Sequence, residues 1–152
     1  MAEEFDFLAP EQPLEPAQSE VLPQAQAAEE LLQFRGYIVP WASQALLNRC
    51  PQARAWRGAK GHMQARLDMD SHLKQLHQAL LSGPAHQLLA YRAWWPQVLQ
   101  QRSSGQAELA VTAAVFAEAL YRFLPDASAA VAVSLWRQAF PVEAVATSVR
   151  LR

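Results

Sequence analysis

The stretch Met69-Asp70-Ser71-His72-Leu73-Lys74-Gln75-Leu76-His77-Gln78-Ala79-Leu80 decides the fold class. Met69, Leu73, Leu76 and Leu80 recur at spacings of four, three and four, which aligns them on one side of a 3.6-residue helix. The spacing predicts an amphipathic helix over 59–81, ended by Ser82-Gly83-Pro84. Asp70 and Lys74 stand four apart, an ordinary surface ion pair on such a helix.

The same period continues downstream. Leu88, Tyr91, Trp95, Val98 and Leu99 form the stripe of a helix over 84–102, which Pro96 should kink or split. After the turn Ser103-Ser104-Gly105, a helix over 106–123 carries Leu109, Ala113, Phe116, Leu120 and Phe123. Pro125-Asp126 gives a break with Asp126 as a candidate N-cap. A helix over 127–140 follows, with Val131, Leu135 and Ala139 on one face; Val133, Trp136 and Phe140 widen that face and suggest a central position. Pro141 ends it, and a last turn over 142–149 frames the C-terminus.

Upstream, Gly36 reads as the stop of a helix over 24–36 whose apolar set is Ala27, Ala28, Leu31, Leu32 and Phe34. Pro40 reads as the first turn of a helix over 41–49, which Pro51 ends. Val, Ile and Thr never cluster at a period of two, so strands find no support. The expected fold is all-α: a compact bundle of about six helices, or a globin-like arrangement of similar size, spanning 24–150.

Residues 1–23 have a different character. Pro10, Pro13, Pro16 and Pro23 oppose regular structure and few apolar groups offset the ordering entropy, so a disordered acidic tail is expected. Its opening, Glu3-Glu4-Phe5-Asp6-Phe7-Leu8, interleaves acids with large apolar residues, a pattern suited to docking in a basic, greasy groove through Phe5, Phe7 and Leu8; the plainer reading is a tail that binds nothing. The formal net charge is −1, yet residues 1–30 hold eight of the 14 acids and no base. Residues 31–152 hold the other six acids and all 13 Lys and Arg, a formal +7. Tail and body therefore attract each other, or each has its own partner.

Composition excludes several classes. No apolar run approaches the roughly 18 residues that cross a membrane, and the acidic start does not resemble a secretory signal, so the cytoplasm is the expected address. Cys50 is the only cysteine, which excludes an intrachain disulfide and a four-cysteine zinc site. There is no phosphate-binding glycine loop and no Gly-x-Ser-x-Gly elbow. With no nucleophile, catalytic residue or metal site to name, the chain is expected not to be an enzyme.

The remaining polar residues admit two readings each. Asp68 and His72 are four apart and could supply metal ligands or an acid–base pair; the plainer reading is a solvated face opposite the Met69–Leu80 stripe. His77, at the edge of that stripe, and His86 are candidate axial ligands to a haem or corrin, or surface groups. The stretch 49–66 holds Arg49, Arg54, Trp56, Arg57, Lys60 and Arg66 with no acid, and could take phosphates and a stacked base or the chain's own tail. The near-neutral total charge argues against nucleic acid. Trp94 and Trp95 are adjacent, so one can enter a core while the other lines a groove or interface.

The pattern Asp68-x3-His72-Leu73-x2-Leu76-x2-Ala79-Leu80, then Leu88-x2-Tyr91-x2-Trp94 and Val98-Leu99-x2-Arg102, resembles a helical segment of bacterial sensory and cobalamin-associated proteins. Asp-Met-Asp-x-x-Leu is also similar to a helix of the globin-like phycobiliproteins, although Gln64-Ala65-Arg66-Leu67 stands where those carry a chromophore cysteine. The corrin-binding Asp-x-His-x-x-Gly motif is absent. The resemblance raises Asp68, His72, Tyr91, Trp94 and Arg102; His72, Tyr91 and Trp94 join His77 as cofactor-binding candidates, and Asp68 and Arg102, each at the far end of its helix from the Ser82–Pro84 turn, form a candidate structural pair closing two antiparallel helices. The leading expectation for the whole chain is a bacterial module for signalling or protein–protein assembly, without a cofactor and with a protein partner or self-association. The alternative is a globin-like sensor binding a tetrapyrrole: haem, bilin or cobalamin.

Overall fold

A computed structural model describes residues 15–57, 61–82, 86–101 and 105–141, with side chains described from Pro23 onward save those of 55–57, 105 and 106. The described residues form seven helices and no strand: α1 Glu15–Gln33, α2 Arg35–Arg49, α3 Pro51–Arg57, α4 Gly61–Ser82, α5 His86–Gln101, α6 Gly105–Phe123 and α7 Asp126–Ala139. The all-α bundle read from the hydrophobic period is therefore present.

The hub is α4, which touches α1, α2, α3, α5 and α7. Its stripe of Met69, Leu73, Leu76 and Leu80 is buried, as the spacing requires. A second row, Ala65, Asp68, His72 and Ala79, is buried beside it, because helices cover α4 on more than one side. Trp136 of α7 and Phe140, which caps its C-terminal end, are fully buried and stacked at 3.9 Å between ring centroids, so this helix is central as expected. The Trp136 indole donates to Ala113 O of α6 at 3.1 Å, which satisfies its one polar atom inside the core.

Helix boundaries differ from the expectation at the prolines and at Gly36. The first break falls at Phe34; Gly36 lies inside α2, and so does Pro40. A proline in a helix crowds the carbonyl four residues back. For Pro40 that residue is Gly36, in the first turn of α2. In α1, Pro23 is likewise internal, and the helix starts at Glu15 rather than near Gln24. The expected disorder of residues 1–14 lies outside the described residues. Pro51 both ends α2 and opens α3: the preceding Cys50 is extended (φ −128°, ψ 92°), as a residue before proline prefers, and the proline takes the first helical position. Pro96 does not split α5, which runs unbroken. Asp126 is the first residue of α7, not its cap; Pro125 occupies the cap position without a side-chain bond.

Among the described residues, two ion pairs tie one helix to another. Arg35 donates twice to Asp70, at 2.6 and 2.7 Å, joining the start of α2 to α4, and Lys74 adds the expected i, i+4 partner at 3.3 Å. Arg49 donates to both oxygens of Glu118, at 2.7 and 3.4 Å, joining the end of α2 to α6. Glu30 of α1 accepts from Ser128 of α7.

Candidate functional site

Asp68 and His72 do not lie on a solvated face. They are 6 % and 2 % exposed, which corrects the plainer reading of the sequence. His72 projects from α4 into a cage of rings. Centroid distances are 4.8 Å to Trp95, 5.6 Å to Tyr91, 5.9 Å to Trp136 and 6.2 Å to both Phe116 and Phe140. Its Nδ1 is hydrogen-bonded to Tyr91 Oη at 2.8 Å, and Tyr91 donates to Ser71 Oγ at 2.9 Å. Gln64 donates to Asp68 Oδ1 at 3.0 Å one turn earlier. Burial pushes the Tyr91 phenol up to about 12, against the pull of hydrogen bonds with Ser71 and Trp95, and the Asp68 charge adds to the rise. Tyr91 thus keeps its proton across the neutral range, and the arrangement is a hydrogen-bonded strut between α4 and α5. Among the described residues no group of three His, Cys, Asp or Glu is placed to hold a metal ion.

The other residues singled out by sequence are dispersed. Trp94 is half-exposed beside Tyr91, 6.2 Å between centroids, while Trp95 is buried, so the adjacent tryptophans divide as expected. His77 is half-buried and lies five residues beyond His72, which turns it toward a different side of α4; His86 is exposed at the first turn of α5. Arg54 is exposed and donates to Asn48 Oδ1 at 3.3 Å. Phe5, Phe7, Leu8, Lys60 and Arg102, with the side chains of Trp56 and Arg57, lie outside the described residues.

A surface that the sequence reading missed lies where α2 meets α6. Tyr37 and Trp41, four apart on α2, flank Phe123 at the end of α6. Tyr37 stacks on Phe123 (5.9 Å, 26°), Trp41 meets it edge-on (6.4 Å, 73°), and Phe34 adds a fourth ring 6.4 Å from Tyr37. Tyr37 is nevertheless 63 % exposed. The guanidinium groups of Arg49 and Arg122 lie over the Trp41 ring at 5.7 and 5.3 Å. The Arg49 hydrogen bond holds the Glu118 carboxyl below its ordinary value, with burial opposing and the Arg49 and Arg122 charges assisting, so Glu118 is ionised at neutral pH. Placing a helix break at Gly36 and Pro40 separated Tyr37 from Trp41 and hid their shared face. A continuous α2 restores it.

Open grooves also lie among the described residues. One, of about 450 Å³, is lined by Val39, His62, Met63, Arg66, Leu67 and Asp70 between α2 and α4. Another, of about 560 Å³, lies between α1 and α7 beside Pro23 and Val131. No helix among the described residues is long and apolar enough to cross a membrane. Comparison of the chain with protein-family models, curated proteins and solved structures finds no match.

Proposed function

We propose that the chain is a non-enzymatic helical module for signalling or protein assembly, which engages a protein partner through the Tyr37–Trp41–Phe123 surface. The observation that carries this reading is Tyr37, largely exposed and stacked on a partly buried Phe123, beside a partly buried Trp41 that two arginines overlie. Tyr, Trp and Arg are enriched among the residues that dominate protein interfaces: the rings bring large contact area with few rotatable bonds, and the guanidinium brings a planar set of donors. Phe34, Trp41 and Phe123 are partly buried against the core, while Tyr37, stacked on Phe123, stays mostly exposed.

The packing about His72 bears on the alternative of a tetrapyrrole sensor. A macrocycle needs a free side of the imidazole, and five rings crowd this one within 6.2 Å. Binding there would require Trp95, Trp136 or Phe140 to leave the core. The interaction module needs no such repacking.

Crosslinked capture from cells producing the chain tests the proposal. Tyr37→Ser combined with Arg122→Glu should leave the fold intact, since Tyr37 and Arg122 are both exposed, and should abolish recovery of the wild-type partner. Unchanged recovery overturns the proposal. A visible absorbance band, in protein from cells supplied with haem and cobalamin, would favour the sensor instead.

A further inference from the structure

We infer that the occupant of the aromatic–arginine surface is the tail segment Glu3-Glu4-Phe5-Asp6-Phe7-Leu8 of a second copy of this chain, which rests on the reading of that surface as a docking site. The chemistry of the two sides corresponds. Stacked rings with Arg49 and Arg122 around Trp41 leave one net positive charge after Glu118, and they favour a short peptide that alternates carboxylates with aromatic side chains. The segment 3–8 is such a peptide, and residues 1–30 hold eight acids without a single base.

Geometry selects the second copy over the same chain. The surface begins at Phe34, just past the C-terminal end of α1, whereas the tail leaves from Glu15 at the other end. The 19 residues of α1 span about 28 Å at ~1.5 Å each. It packs on α4 and α7, with little contact to α2, so it does not fold back along α2. Leu8 is seven residues upstream of Glu15 and reaches at most about 24 Å from it, even fully extended. Its own tail would have to run fully extended along the whole of α1 to bring Leu8 near the surface, while a neighbour's tail is under no such limit. The contact is head-to-tail, so it closes reciprocally into a dimer or runs on into larger assemblies.

Light scattering on the eluting full chain, over a range of concentrations, tests the inference. Mass should rise with concentration and fall back toward one chain as salt is raised, since the contact is partly ionic. Phe5→Ala with Phe7→Ala should abolish the rise, as should Tyr37→Ser with Arg122→Glu. Mixing those two double variants should restore a pair, because one retains the surface and the other the tail. A fluorophore-labelled peptide of residues 1–14 should bind the wild-type chain, with affinity reduced at least about tenfold by Tyr37→Ser with Arg122→Glu. A chain that stays monomeric at every concentration overturns the inference, whether or not the peptide binds. If the peptide fails to bind but the surface variant still loses its captured partner, the inference falls and the proposed function stands.

Discussion

Leu76 has no exposed surface, and it stands at the middle of the α4 stripe. Leu76→Ala should cost about 2–5 kcal/mol in denaturant melts, the transfer loss plus the cavity left behind; less than about 1 kcal/mol would mean that the stripe faces water. Tyr91 supports a prediction in alkali. Its phenol holds its proton to about pH 12 in the fold against an ordinary value of 10.0, so the folded state binds the proton more tightly than the unfolded one. The resulting stability is complete below the ordinary value and declines as pH rises through the folded one, by up to about 2 kcal/mol. Tyr91→Phe should flatten that decline, measured by melts across the alkaline range. At neutral pH it should cost about 1–3 kcal/mol, because the hydrogen bonds to Ser71 and His72 are lost from a mostly buried site. The sequence announced Leu76 by its period but disguised His72. A polar residue beside an apolar stripe reads as solvated, and only the packing of further helices against α4 buries it.

At the scale of elements, the periodic stripes were legible because each helix buries one continuous face. Boundaries were less so, since Gly36 and Pro40 are local stop signals that α2 overrides. Gly36 has nothing within 4 Å of where a Cβ would stand. Gly36→Ala should therefore stabilise the protein by about 0.5–1 kcal/mol, through lower freedom of the unfolded chain; a destabilised variant would show that the glycine relieves Pro40. The Arg35–Asp70 clamp spans 35 positions and could not be read from spacing. Burial pushes the Asp70 carboxyl up, but hydrogen bonds and charges from Arg35 and Lys74 outweigh it and bring its pKa below the ordinary value. Its contribution is present above the ordinary carboxylate range and is lost as pH falls through the folded value. Because Arg35 is 44 % exposed, Arg35→Ala should cost only about 0.5–1 kcal/mol, and the cost should vanish in acid.

Across the whole molecule, one apolar cluster takes residues from all seven helices, from Ala27 to Phe140. Helical circular dichroism and tryptophan fluorescence should report the same melting transition, as a single cooperative unit requires; separated transitions would mean that α1 or α5 unfolds alone. Removing residues 1–14 should leave that transition within a few degrees in dilute protein, since Ala27, Ala28 and Leu31 already tie α1 into the cluster. The division of charge between tail and body was plain in the sequence. The aromatic surface at the α2–α6 seam was not, because Tyr37 and Trp41 meet Phe123 from more than 80 positions away in sequence.

Cys50 gives the fold a built-in clock. Its thiol is the only one in the chain, is 1 % exposed, and sits in the extended link between α2 and α3, with Sγ 3.7 Å from Gln52 Oε1. A thiol-specific reagent can reach it only while that joint is open. The rate of labelling under native conditions, divided by the rate for the unfolded chain, therefore gives the fraction of time the joint is open, and so its free energy of opening. Labelled in the same way with the tail docked and undocked, the α2–α3 joint would report whether an event at Trp41 is felt nine residues further along the chain.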